Sequence, residues 1–151
     1  MLRKILWGLI AGFVIIQFFR IDKTVRKADP ATDFVWITNP PGEVMSLLKV
    51  ACYDCHSYQT QYPWYTNVAP ISWWIGHHIE EARDHLNFSI WGTYDSSDQL
   101  DLLYACADEV EKGRMPLASY TWIHGAAKLT DYQRGLLKDW FNSGQIGMNR
   151  H

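Results

Sequence analysis

Cys52-Tyr53-Asp54-Cys55-His56 concentrates more chemistry than any other five residues of this sequence. Two thiols separated by two residues and followed at once by an imidazole have the spacing of C-x-x-C-H. That spacing lets the thiols bond the two vinyl groups of one haem while the next residue turns its ring onto the iron. Cys52 and Cys55 are therefore expected to hold one haem c covalently, with His56 as the proximal iron ligand. The plainest alternative is a pair of packed or disulfide-bonded cysteines beside an incidental histidine. A zinc site built on the same residues lacks the four-ligand spacing of a finger. A dithiol redox site normally opens a helix after a strand, whereas this motif closes a helix.

An iron held by His56 has a sixth position, and the side chain that fills it decides the chemistry. Met115 is the expected distal ligand. It lies in Gly113-Arg114-Met115-Pro116, and the proline biases Met115 toward an extended backbone that can hold a thioether out of a loop. His77 or His78 in that role would give a bis-His centre of lower potential; both stand beside Trp73 and Trp74 on one helix. Met45 and Met148 are further candidates. His85 and His124 are expected at the surface or on the propionate side, and Cys106 as an inert packed thiol. Eight tryptophans and eight tyrosines are enough to build an apolar, hydrogen-bonded pocket.

The elements that must position these residues are helical. Val44, Leu47, Leu48 and Ala51 recur at i, i+3, i+4 and i+7, a helical face that delivers the motif at its C-terminal end. Tyr58 to Pro70, with two prolines and several aromatics, is expected to be an ordered loop. Ser72 then caps a helix to Leu86, and Asn87 to Asp95 makes a turn. Ser97 caps a third helix with Leu100, Leu103, Tyr104, Ala107 and Val110 on one face and Gly113 as its stop. Thr130 and Gln133 form a capping box for a last helix through Leu136, Leu137, Trp140 and Phe141, closed by Gly144. No segment alternates long enough for a strand. The expected class is all-α: a cytochrome c-like bundle of about four helices around one haem, preceded by an N-terminal hydrophobic helix.

The 151 residues, 48% hydrophobic, suit one compact domain with an appendage. Residues 1–20 read as a signal peptide or signal anchor, 21–42 as a linker, 43–145 as the haem-binding domain and 146–151 as a tail. The stretch 5–19 is almost wholly apolar and follows Arg3 and Lys4, the plan of an export signal. It falls a little short of the roughly 20 residues of a comfortable span, and no small-x-small cleavage site follows it, which favours an uncleaved anchor. Haem attachment of this type takes place on the exported side of a membrane. The domain is accordingly expected in the periplasm or otherwise outside the cytoplasm, and free in the periplasm if the segment is cleaved. A net charge of −2 and the lack of a Gly-rich phosphate loop exclude nucleic acid as a partner; the redox partners stay open.

Several further stretches accompany the motif: Ser57 after it, Tyr62-Pro63-Trp64-Tyr65, Val68-Ala69-Pro70, Ser72-Trp73-Trp74, His77-His78, Leu86-Asn87-Phe88-Ser89 with Trp91, and Met115-Pro116 with Tyr120. Together, over about residues 43–142, the chain resembles the small haem-binding domain family of exported bacterial proteins. The resemblance implies a cytochrome c-like helical domain with Cys52 and Cys55 as attachment residues, His56 as proximal ligand and Met115 as distal ligand; it supplies no physiological role. The expected function is a mono-haem c-type cytochrome carrying single electrons outside the cytoplasm. The alternative is a peroxidase-like haem enzyme or haem-based sensor with an open sixth position.

Overall fold

The computed structural model describes residues 1–24 and 26–148. Eight α-helices occur among them: α1 (Leu2–Ile16), α2 (Phe34–Thr38), α3 (Gly42–Ala51), α4 (Tyr53–His56), α5 (Ile71–His85), α6 (Ser96–Glu111), α7 (Ala118–Thr121) and α8 (Asp131–Met148). Tight 3-10 turns fill Trp64–Asn67, Phe88–Thr93 and Gly125–Ala127. No strand occurs among the described residues, in keeping with the all-α expectation. The four long helices foreseen for the domain are α3, α5, α6 and α8; three short helices were not foreseen.

The main packing is α6 against α8, where Leu103, Ala107 and Val110 share one core with Leu137 and Phe141. Val44, Leu47 and Leu48 of α3 close it. Gly144, expected as the stop of α8, lies inside that helix: a Cβ there would stand 3.3 Å from Leu103 Cδ1, so the glycine serves close approach of α8 to α6. The capping box is present, with Thr130 N donating to Gln133 Oε1 (2.9 Å) and Gln133 N to Thr130 Oγ1 (3.3 Å). Tyr104, assigned to the buried face of α6, is 65% exposed.

Two serine caps are corrected. Ser72 is buried inside α5, which starts after Pro70 without a side-chain cap. Asp95, one residue before α6, accepts from Asp98 N in place of Ser97. Asn87 caps the Phe88–Thr93 turn by accepting from Ser89 N; the segment expected as a plain turn buries Phe88, Ser89 and Trp91.

The stretch 21–42, expected as a linker, contributes to the core. Asp33 caps α2 by accepting from Val35 N, and Asn39 in the left-handed region (φ 43) ends it. The Phe34 ring, 1% exposed, meets Trp91 edge-on at 4.8 Å and Phe88 at 5.0 Å. The apolar run 5–19 divides at Ile16, where α1 ends. No helix among the described residues is long and apolar enough to cross a membrane. Beyond α1 the chain crosses α5 and the turn before it. Gln17 exchanges two hydrogen bonds with the Ala69 backbone (2.9 and 3.1 Å), Trp73 Nε1 donates to Phe19 O (2.6 Å), and Ile21 covers Gly76.

Candidate functional site

The motif sits on a break. α3 ends at Ala51, and Cys52 (φ −125, ψ −42) turns the chain before the single turn of α4. Cys55 N and His56 N then donate to Cys52 O at 3.2 and 2.9 Å. Cys52 packs against the core, as does Cys106, while Cys55 lines a cleft. All three cysteines are free thiols. Burial, helped by Cys55, pushes Cys52 up to about 12. Burial and Asp54, opposed by Arg83, push Cys55 up to about 11. Both are protonated at neutral pH, which disfavours a reactive dithiol. Among the described residues no three His, Cys, Asp or Glu side chains converge to hold a metal ion by themselves.

His56 is fixed by its far nitrogen. Nδ1 lies 3.1 Å from both Ala82 O and Leu86 O, at the C-terminal end of α5. Carbonyls only accept, so Nδ1 carries the hydrogen and Nε2 keeps its lone pair, the tautomer a metal-ligating histidine uses. Burial holds His56 below the ordinary histidine value, partly offset by the Leu86 and Ala82 carbonyls. The surrounding chain is equally tied. Ser57 Oγ donates to Tyr53 O (2.6 Å), Arg83 donates to Ser57 O (2.9 Å) and Thr60 Oγ1 (2.7 Å), and Thr60 Oγ1 donates to Asp54 O (2.6 Å). Tyr53 stacks on Phe88 at 5.3 Å and donates its hydroxyl to buried Asp33 (3.0 Å).

The cleft, about 80 Å³ and open to solvent, has walls from Cys55, Trp74, His78, Ile79, Leu117 and Ile123, among others, and neither Cys52 nor His56 lines it. Of the candidates for the sixth position, His78 lies on this wall, its Nδ1 2.8 Å from Trp74 O. His77 points away, exposed and 3.3 Å from Glu81. Met115 is half-buried and is not among the cleft residues. Its backbone is clamped, N donating to Glu109 O (3.2 Å) and O accepting from Arg134 (2.9 Å). His85 is exposed, Met45 packs against the core, and the Met148 side chain lies outside the described residues. Burial raises the Cys106 thiol, with Cys52 a further cause, consistent with an inert packed thiol.

The structure also assembles residues that spacing did not single out. Tyr120 Oη donates to Asp54 Oδ2 (2.7 Å), joining α7 to the middle of the motif. His124 stacks on Tyr120 at 4.1 Å and its Nε2 lies 2.9 Å from Tyr65 Oη. Burial and the Asp54 contact push the Tyr120 hydroxyl well above the ordinary tyrosine range. The one sequence signal was the place of Tyr65 and Tyr120 among the residues that accompany the motif.

Two free thiols on one turn, an imidazole presenting a bare Nε2 and an apolar cleft reaching Cys55 are a donor set that fits a haem. A family model described as a haem-binding domain matches residues 11–143. No curated protein and no solved structure matches the chain.

Proposed function

The chain belongs to the haem-binding domain family, and on that premise we propose that it is a mono-haem c-type cytochrome, a single-electron carrier on the exported side of a bacterial membrane. Cys52 and Cys55 would hold the haem by thioether bonds and His56 would bind the iron through Nε2. When bound, haem supplies one-electron exchange between ferrous and ferric iron. The observation that carries this reading is the double carbonyl clamp on His56 Nδ1, 3.1 Å to each oxygen, one residue after a free thiol. The chain's own part is to orient the imidazole, keep it neutral by burial and exclude water with the aromatic and aliphatic wall.

Met115 is the proposed sixth ligand, its thioether raising the potential. His78 is the second reading, favoured by its place on the wall shared with Cys55. Residues 5–19 are proposed as an N-terminal anchor, α1 with its exposed apolar side chains reaching into the bilayer and the domain outside the cytoplasm. The test compares Met115→Ala with His78→Ala in the haem-loaded protein. Loss of a sulfur-to-iron absorption band in the oxidised protein, a lower potential and new carbon monoxide binding are expected in Met115→Ala alone. The same changes in His78→Ala alone would give His78 the ligand's role. A wild-type protein that already binds carbon monoxide, with no sulfur band, would replace the electron carrier with a haem enzyme or sensor.

A further inference from the structure

Arg20 and Lys23 line a second cleft, which has no carboxylate in its walls. It lies where the chain leaving α1 crosses the start of α5, measures about 110 Å³, and is walled by Gln17, Arg20, Lys23, Thr66, Asn67 and Ser72, among others. That volume is several times the roughly 10–15 Å³ that one water needs. Lys23 Nζ donates to Asn67 Oδ1 (2.7 Å) and Thr66 Oγ1 (2.8 Å), which uses two of its three N–H bonds. The ion pairs among the described residues involve neither cation, and the neighbouring Asp22 binds Thr24 N instead (2.8 Å). Burial and the like charge of Arg20 hold the Lys23 ammonium below its ordinary value; an anion between the two cations would relieve that repulsion. Ser72, 3% exposed, brings a hydroxyl to the same walls.

The cleft is also fixed in place beside the apolar helix. α1 has 15 residues, about 22 Å at 1.5 Å per residue, against a hydrocarbon core of about 30 Å. An anchor that short draws its flanking residues into the headgroup layer. Here the flank is tied to the domain. Gln17 and the Ala69 backbone exchange two hydrogen bonds, and Trp73 Nε1 donates to Phe19 O. Phe18, Trp64, Ile71 and Trp74, on the segments that make this junction, are exposed, and side chains of these kinds settle at a membrane interface.

We propose that this cleft binds the phosphate of one anionic membrane lipid per chain, held by the Arg20 guanidinium and the remaining Lys23 N–H, with the Ser72 hydroxyl as a further donor. The proposal rests on the reading of residues 5–19 as an anchor, which sets the cleft at phosphate depth and makes a lipid the source of the anion. An anionic headgroup suits the site better than a zwitterionic one, because no carboxylate lines the cleft to receive a choline cation. Lipid bound there would fix the tilt of the domain on the bilayer, since the cleft and the start of α5 are one rigid junction.

The experiment places the reduced full chain in micelles of a neutral detergent and adds phosphatidylglycerol, phosphatidylcholine or inorganic phosphate, reading the NMR shifts of the amides between residues 66 and 73 and of the Trp73 indole N–H. Phosphatidylglycerol is expected to move these signals to saturation at one lipid per chain, with phosphatidylcholine and phosphate far weaker. Arg20→Gln, which costs the fold no ion pair, should weaken the binding about tenfold and leave the other amides unmoved; Lys23→Gln should weaken it as much. Equal shifts from both lipids, or binding that persists unchanged in Arg20→Gln and Lys23→Gln, overturns the proposal. Inorganic phosphate binding as tightly as phosphatidylglycerol would also overturn it, by giving the cleft to a free anion. A spin-labelled lipid tests the anchor separately: amides of residues 5–19 that stay sharp overturn the anchor reading, whereas broadening there without lipid-specific shifts between 66 and 73 overturns this proposal alone.

Discussion

The two sides of the cleft are fastened in different ways. On the motif side, residues 52–60 are tied from within: His56 to two carbonyls, Ser57 to Tyr53, Arg83 to Ser57 and Thr60, and Tyr53 to a buried aspartate. On the other side, residues 113–124 follow the end of α6 and meet the motif side where Tyr120 donates to Asp54. Gly113 turns the chain at φ 68, Arg134 grips the carbonyls of Val110 and Met115, and Arg114 pairs with Asp108 and Glu109 at the surface. Trp122, 93% exposed, follows. The His56 imidazole is thus set by two carbonyls at the end of α5, whereas Met115 is held through its backbone, by Glu109 O and Arg134.

The motif side should fail globally when its support is cut. Phe34→Ala removes the ring beneath Phe88, which in turn contacts Tyr53 and His56. It should lower unfolding free energy by about 3–5 kcal/mol in urea titrations. Asp33→Ala leaves Tyr53 Oη, Val35 N and Gln59 Nε2 without their shared acceptor and should lower it by about 1–3 kcal/mol.

The Met115 side should instead fail locally. Arg134→Ala frees the Val110 and Met115 carbonyls; about 1 kcal/mol of stability should be lost, while the sulfur-to-iron band weakens. A loss as large as that of Phe34→Ala would show the two sides to be equally integral. The smallest effect is acid. Lys112 and Arg114 hold Asp108, and Arg114 holds Glu109, below the ordinary carboxylate range. Carboxylates so depressed stabilise the fold above their ordinary values near 4 and lose that contribution as pH falls. Protection of the amides at residues 112–115 from exchange, relative to the intrinsic rate, should therefore fall below about pH 4, and in Arg114→Gln it should already be low at neutral pH.

Local rules carried much of this structure from the sequence. The C-x-x-C-H motif, the face of α3 ahead of it and the Thr130–Gln133 box depend on residues within a few positions of one another. What escaped depends on long-range packing. Phe34 and Val35 stand among breakers and charges in a short segment without a full turn of periodicity, so nothing local marks them as core. Gly144 reads as a helix stop until Leu103 of α6 is set against it. At the site, the Nδ1 clamp on His56 needs α5 folded back on the motif, and Asp54 and Tyr120 meet across 66 residues of chain. The same limit applied to the sixth ligand: His77 and His78 are indistinguishable in sequence, and only the helix phase puts one at the cleft and the other at Glu81.

Covalent haem at Cys52 and Cys55 would show in the intact mass of the full chain. The chain is produced in a host that attaches haem c, extracted under denaturing conditions and weighed beside its pyridine haemochrome spectrum. One added haem per chain is expected, with the spectrum of a porphyrin whose two vinyls are saturated, and neither feature in Cys52→Ala/Cys55→Ala. An unmodified mass, with haem absent or extracted free of the protein, would contradict it.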